Sequence, residues 1–166
     1  YGDNYGYRSG LNISMVKHLA HKINLIETLV NPTETDIVVD IGSNDATLLK
    51  AYSTMCRRVG IDPTGKKFKE FYPKEIILLP DFFSKDIFAA TFPKEKAKII
   101  TSIAMFYDLE DPNQFVRDIA EVLEEDGIWH FEQSYMPSML RTNSYDTICH
   151  EHLEFYSLKV VKNILD

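Results

Sequence analysis

The chain has 166 residues, of which 45% are hydrophobic and 12% aromatic, so it can bury a core and its length favours one globular domain. Its formal net charge of -7 argues against a general nucleic-acid-binding surface and favours chemistry on small molecules. The two cysteines lie far apart, and no stretch is typical of a secretory signal or a membrane span, so we expect a reducing, cytoplasmic setting.

The chain opens with a loop-like segment, residues 1–10, that contains three Gly and the tyrosines Tyr1, Tyr5 and Tyr7. These rings could line a ligand pocket, and an irregular arm packed on the core is an equally good interpretation. From residue 13 to residue 30, apolar side chains recur at helical spacing and a proline follows, which predicts a helix leading into the first strand. Its histidines, His18 and His21, are interpreted as solvated because no third metal ligand is fixed nearby.

The segment over residues 36–48 reads DIVVDIGSNDATL, and the rest of the chain is organised around it. Its short β-branched run predicts a buried parallel strand, and the residues after Gly42 predict a helix with Asn44 or Asp45 near its N-cap. Strand, glycine loop and helix form the crevice at the carboxyl end of an α/β sheet, where nucleotide-like ligands bind. The loop has neither of the usual glycine patterns that cradle phosphates.

Carboxylates at Asp40 and Asp45 and close backbone approach at Gly42 suit a ligand with a cationic amino-acid end and a ribose. That description fits S-adenosylmethionine better than NAD, and a plain strand-to-helix turn is the alternative. Residues 57–62 predict a second strand ending in Asp62, 20 residues after Gly42, where such folds bind ribose hydroxyls. Asp62 is therefore the strongest cofactor candidate.

Later segments continue the alternation of strands and helices. Apolar, β-branched runs predict strands over 75–79, 97–103 and 127–132, a short helix is expected over 66–71, and a longer helix begins at 111–112 and ends at 126–127. This pattern, without repeats, predicts an α/β fold with a doubly wound, mostly parallel sheet and an N-terminal helix.

An acid beside aromatic residues follows the third predicted strand: Asp81, Phe82 and Phe83. A ring could stack on an adenine while Asp81 accepts a hydrogen bond from its exocyclic amine. In the alternative interpretation, both rings belong to the core and Asp81 caps the next turn.

The densest set of titratable groups lies in residues 144–156, SYDTICHEHLEFY. On a strand, His150 and His152 would share one side and Glu151 would point away. Only two clear ligands are present, so we predict no metal site and favour a general base for proton transfer over a merely structural role.

In this order, the motifs VDIGSNDATLL, GIDP, PDFF, ITSIAMFYDLEDP and YDTICHEHLEFYSL resemble class I S-adenosylmethionine-dependent methyltransferases. More narrowly, the chain resembles sugar C-methyltransferases that act on nucleotide-linked 4-keto deoxysugars, and DLEDP and HEHL are its most specific segments. The resemblance implies a single Rossmann-like domain over 1–166 that binds S-adenosylmethionine. It also implies a nucleotide-sugar substrate, with no nucleic acid or membrane as partner, and leaves the oligomeric state open.

Carried over by position, the resemblance implies cofactor-binding residues along the strand ends: Asp40, Gly42, Asn44, Asp45, Asp62, Pro63, Asp81, Phe82, Ala104 and Met105. The methionine part would meet the loop after the first strand, and Ala104 and Met105 would form the floor under the sulfonium. The resemblance places the catalytic base at His152, with Glu151 beside it. Tyr7 would face the sugar, and Tyr7 or His150 could donate to a developing oxyanion.

Two residues depart from the family pattern: Ala46 stands where relatives usually have Gly, and Cys149 where they often have Tyr. Such enzymes typically carry an N-terminal zinc-binding domain and a C-terminal domain, neither of which fits here. We therefore expect a piece of a longer protein that binds cofactor but is nearly inactive alone. The alternatives are a methyltransferase of this fold with another acceptor and a non-catalytic α/β interaction module.

Overall fold

Five strands build one sheet in the part of the chain that the computed structural model describes, residues 6–146 and 148–166. The sheet has the order β3-β2-β1-β4-β5, and every neighbouring pair is parallel. This confirms the predicted α/β fold. The strands are β1 (Ile37–Ile41), β2 (Arg57–Ile61), β3 (Ile76–Leu79), β4 (Ala97–Ile103) and β5 (Leu123–Glu132).

Helices cover both faces of this sheet, as a doubly wound fold requires. The helix α1 packs on one face through Leu19, Ile23 and Ile26, whereas α3, α4 and α6 pack on the other. No helix in the described residues is long and apolar enough to cross a membrane. The helices are α1 (Ile13–Val30), α2 (Gly65–Phe68), α3 (Lys85–Thr91), α4 (Pro112–Val122), α5 (Met136–Thr142) and α6 (Leu158–Leu165).

The bounds of α1 are those predicted from its periodicity and its ends. The side chain of Asn12 accepts hydrogen bonds from the first-turn amides of Ser14 and Met15, which would otherwise lack partners. At the other end, Asn31 adopts a left-handed conformation with φ of 54° directly before Pro32. Because α1 runs back along the sheet, its first turns lie at the carboxyl edge of the strands.

The order of the strands reverses between β1 and β4. From β1 the chain moves outward to β2 and β3, and it then returns to place β4 on the other side of β1. The loops after β1 and β4 therefore leave the sheet in opposite directions and open a crevice between them.

Phe106 closes the core beneath this crevice. It lies in a single turn of 3-10 helix, Phe106–Asp108, shortly after β4, and it is fully buried. Its ring centroid lies 5.5 Å from those of Phe131 and Tyr156 and 5.9 Å from that of Trp129. The aromatic cluster thus holds the β4 and β5 ends together with the chain that precedes α6.

Three of the predicted elements are wrong in their bounds or type, and one of them is α4, which ends at Val122 and not at residues 126–127. The helix expected after Gly42 is absent, because Asn44 and Ala46 have φ of 51° and 60° and only one 3-10 turn, Leu49–Ala51, follows. The strand β5 begins at Leu123, directly after α4, and not at Gly127. The helix α3 was not predicted.

We predict that Phe106→Ala lowers the free energy of unfolding by about 3 to 5 kcal/mol, because it empties a fully enclosed aromatic site. Urea denaturation monitored by circular dichroism measures this loss. The matched control is Phe82→Ala, which removes a ring that is 64% exposed and should change stability by less than about 0.5 kcal/mol. Equal losses in the two variants would contradict the assigned core.

Candidate functional site

The loop after β1 reverses direction through three left-handed residues. Gly42, Asn44 and Ala46 have φ of 73°, 51° and 60°, and Ala46 is fully buried. A side chain on Gly42 would also come within 3.5 Å of the Met105 side chain. The conformation at position 46 is one that glycine adopts at the least cost, so the alanine here carries a small backbone strain.

Asp62 fastens this loop to the end of β2. Its Oδ2 accepts a hydrogen bond from the Asn44 amide at 2.7 Å, and its Oδ1 accepts from the amide and hydroxyl of Thr64 at 2.7 and 2.6 Å. The residue is 5% exposed, and Pro63 follows it. A carboxylate has about four acceptor sites, so Asp62 retains capacity for one further donor such as a ribose hydroxyl.

Asp40 is a buried acid on β1 whose charge is only partly compensated. The Thr101 hydroxyl donates to its Oδ1 at 2.7 Å. Burial raises the pKa of Asp40 from 3.8 to about 7, the Thr101 hydrogen bond opposes this rise, and the nearby Asp62 charge adds to it. A cation bound in this crevice would therefore favour the ionised form of Asp40.

Asp45 is directed at the start of the chain. Its side chain is 1% exposed, and Oδ2 accepts from the Arg8 Nε at 3.2 Å and from the Gly10 amide at 3.1 Å. Its Oδ1 accepts from the Thr47 hydroxyl at 2.5 Å. Burial alone would raise the pKa of Asp45, but these hydrogen bonds from Thr47, Arg8 and Gly10 hold it below the usual value. Its predicted contact with the methionine part of a cofactor stays a prediction.

The end of β3 lies beside Asp62, whose amide donates to the Leu79 carbonyl at 3.1 Å. The sequence left two alternatives for the rings of Phe82 and Phe83, packing in the core or contact with a ligand, and the two rings differ. Phe83 packs on the core, with its ring centroid 5.3 Å from that of Phe115, whereas Phe82 is 64% exposed. Asp81 is exposed and accepts from the Phe82 amide at 2.8 Å, so both groups remain open to a ligand.

Ala104 and Met105 form the opposite wall of the crevice. Ala104 is exposed with φ of 53°, and its amide donates to the Glu132 carbonyl at 2.7 Å, which ties the β4 and β5 ends together. The Met105 side chain faces Gly42 across the crevice. Met105 therefore lies close to the loop after β1, and the predicted place of Ala104 and Met105 under a sulfonium stays a prediction.

Of His150, Glu151 and His152, it is His152 whose side chain packs against the turn that follows β4. Its ring centroid lies 4.4 Å from that of Tyr107, and the amides of Leu153 and Glu154 both donate to the Tyr107 carbonyl, at 3.0 and 3.1 Å. This stretch consists of turns and coil, so the argument from strand alternation is wrong. Thr147 lies outside the described residues.

The other predicted catalytic groups are more exposed. The His150 side chain is 92% exposed, and its Nε2 lies 3.9 Å from Glu151 Oε1. Tyr7 is 45% exposed and contacts the β1 loop through its backbone carbonyl, which accepts from Asn44 Nδ2 at 3.0 Å. Tyr1 and Tyr5 lie outside the described residues.

Two polar groups that the sequence analysis did not identify support this site. The Tyr72 hydroxyl contacts Ser43 Oγ at 2.7 Å and donates to the Asn44 carbonyl at 3.0 Å. Glu132 lies 2.7 Å from His18 Nε2, so that histidine is paired as well as partly solvated. No local pattern marks these partners, because each comes from a distant element. The described residues contain no cluster of three His, Cys, Asp or Glu side chains suited to a metal ion.

Comparison with known proteins identifies relatives of this arrangement. Residues 15–166 match the family model described as a methyltransferase domain. The C-methyltransferase NovU of Streptomyces niveus is 24% identical over 147 residues, which are 87% of this chain but 35% of NovU. This chain therefore spans about a third of the length of that curated relative.

Solved structures share the fold at low sequence identity. The plantazolicin methyltransferase BpumL, crystallised with a triazolic desmethylPZN analogue and SAH, is 12% identical with a TM-score of 0.67, over 95% of this chain and 64% of that one. The YcgJ protein of Bacillus subtilis is 19% identical with a TM-score of 0.68, over 87% and 65% of the two chains.

We predict that Asp40→Asn changes how stability depends on pH. The folded state keeps a proton on Asp40 that the unfolded chain loses, so the Asp40 contribution is full below about pH 4 and is lost as the pH rises through about 7. Urea unfolding of both proteins between about pH 5 and pH 8 should show the variant gaining roughly 2 to 3 kcal/mol relative to the parent. Parallel pH profiles would contradict the assignment.

Proposed function

We propose that this chain, which belongs to the methyltransferase domain family, is the S-adenosylmethionine-binding core of a C-methyltransferase for a nucleotide-linked keto-deoxysugar. The observation that supports carbon methylation most strongly is the contact between His152 and Tyr107, shortly after Ala104 and Met105. It brings an imidazole to the strand whose end lines the crevice. Membership of the family disfavours the non-catalytic interaction module.

The crevice residues fit the cofactor by charge and by shape. Asp62, with acceptor capacity left on a buried carboxylate, would hold the ribose, and the exposed pair Asp81 and Phe82 would hold the adenine. Asp40 would face the cationic methionine end of the cofactor, and the backbone at Gly42 would lie close to that end. When bound, S-adenosylmethionine supplies an electrophilic methyl group on a sulfonium.

His152 is the proposed general base. A carbon beside a ketone becomes acidic enough to deprotonate when donors stabilise the enolate oxygen. In this scheme the proton passes from that carbon to an imidazole nitrogen, and the electron pair remains on the acceptor as an enolate. Tyr7 would donate to the oxygen from the opposite side, while the Tyr107 ring fixes the plane of the imidazole.

The acceptor would enter from the side of β5. A surface cavity of about 310 Å³ lies beyond that strand, bordered by Glu132, Gln133, Tyr135, Tyr156 and Ser157. Apolar side chains, Leu158 and Val161 among them, line it as well, so a sugar would pack a ring face there and use the few polar groups for hydrogen bonds. Because the chain spans about a third of NovU, we expect segments outside it to hold the nucleotide end, and little turnover by this piece alone.

A second candidate is a methyltransferase of the same fold that acts on another small-molecule acceptor. The family match supports it equally, because a methyltransferase domain does not specify the acceptor. Such an enzyme would bind the cofactor in the same crevice but would not depend on a base at His152.

Calorimetric titration with S-adenosylhomocysteine tests the cofactor site. We expect Asp62→Ala to weaken binding at least about tenfold, because it removes a buried acceptor from the crevice. Asp62→Asn keeps a side-chain oxygen that can accept from the Asn44 amide. It therefore shows whether a loss of binding comes from the ligand contact or from a disturbed loop. The control Asp86→Ala, at an exposed position of α3, should bind like the parent. Unchanged binding to Asp62→Ala would contradict the proposed ribose site.

His152→Gln tests the base in a protein that carries this core together with its neighbouring segments. With a nucleotide-linked 4-keto deoxysugar as acceptor, we expect kcat to fall by about 10² to 10⁴ while the affinity for S-adenosylhomocysteine is retained. Exchange of the acceptor proton with deuterated water, followed by NMR, should be lost in parallel. The matched control is His21→Gln on α1. Full activity of His152→Gln would favour the second candidate function.

A further inference from the structure

The side chain of Asn44 holds the segment that precedes α1. Its Nδ2 donates to the Tyr7 carbonyl at 3.0 Å, and its Oδ1 accepts from the Ser9 amide at 3.0 Å. Both ends of one amide are therefore used on the backbone of residues 7–10, which we call the arm. Such a two-point contact fixes the direction of the arm as well as its distance.

Asp45 holds the other half of the arm through charge. The Arg8 Nε and the Gly10 amide converge on its Oδ2 at 3.2 and 3.1 Å, and the Arg8 guanidinium lies 3.5 Å from the centre of the Phe71 ring. A Cβ on Gly10 would lie 2.6 Å from that carboxylate oxygen. A larger residue at this position would therefore force the Asp45 carboxylate to shift away from the arm.

The same loop that binds the arm also contacts the proposed ribose carboxylate. The Asn44 amide donates to Asp62 Oδ2 at 2.7 Å, and the Asn44 carbonyl accepts from the Tyr72 hydroxyl. The backbone of one residue is therefore fixed by Asp62 while its side chain fixes the arm. A ligand that orders Asp62 would in turn order Asn44.

We propose that Asn44 and Asp45 are positioning residues that latch the arm, so that cofactor binding and the placement of Tyr7 are energetically coupled. This inference rests on the proposed function, because the cofactor is taken to bind at Asp62. It gives the two loop residues a role in presenting the acceptor-side tyrosine. By thermodynamic linkage, the factor by which the cofactor stabilises the bound arm equals the factor by which the bound arm raises the affinity for the cofactor.

Amide hydrogen exchange measured by NMR on the 166-residue chain reports the latch directly, because the amides of Ser9 and Gly10 are its donors. We expect saturating S-adenosylhomocysteine to slow exchange at both amides by about tenfold. Arg8→Ala removes the ion pair from a partly exposed residue but keeps the hydrogen bonds of Asp45 with Thr47 and Gly10 and that of Asn44 with Asp62. It should speed exchange at these amides in the free protein.

Calorimetry on the same samples measures the affinity for S-adenosylhomocysteine, which is the other half of the coupling. Arg8→Ala should raise the Kd for S-adenosylhomocysteine, by at most the factor by which the ligand protects the arm in the parent protein. Lys17→Ala, on the exposed side of α1, is the control and should change neither quantity. Binding without protection of Ser9 and Gly10, or with parent affinity in Arg8→Ala, would overturn the coupling alone. Absence of binding in calorimetry would overturn the proposed function, and the coupling with it.

Discussion

The hydrogen bond from the Asn44 amide to the Asp62 carboxylate is the constraint on which the crevice depends. A loop with three left-handed residues leaves backbone amides that no helix or strand can satisfy. Asp62 meets one of them at 2.7 Å from the end of the neighbouring strand. The parallel register of β1 and β2 brings this acid to the loop, because Ile41 pairs with Ile61 and the next residue along β2 is Asp62.

Three buried acids surround this loop, and each is stabilised in a different way. Asp40 accepts from the Thr101 hydroxyl and has a pKa raised to about 7 by burial, Asp45 is neutralised by Arg8, and Asp62 accepts three hydrogen bonds. If all three acids were paired with cationic side chains of the protein, the crevice would not attract a cationic ligand. Asp62 keeps acceptor capacity beyond its three hydrogen bonds, and a cation bound beside Asp40 would favour its ionised form.

The sequence was sufficient where local periodicity and burial agree. The bounds of α1 and β4 were predicted to the residue, because each lies between clear end signals and buries one continuous apolar face or run. The loop after β1 was predicted but its conformation was not, since Gly42 and Asn44 tolerate positive φ but nothing local indicates it at Ala46. The start of β5 was missed because Leu123 pairs with Ala97 across a register shift, and the charged residues 124–126 inside that shift have no apolar strand pattern.

The residues of the candidate site also differ in how far the local sequence predicts their positions. The cofactor side is built from the ends of adjacent strands, so strand order and register fix Gly42 and Asp62 with local precision. The stretch around His152 has no strand of its own and is held through the Tyr107 ring and two amides that share its carbonyl. Few backbone bonds and little burial make this side easier to open locally. The sheet thus positions Gly42 and Asp62, whereas long-range contacts that no short motif encodes position the stretch around His152.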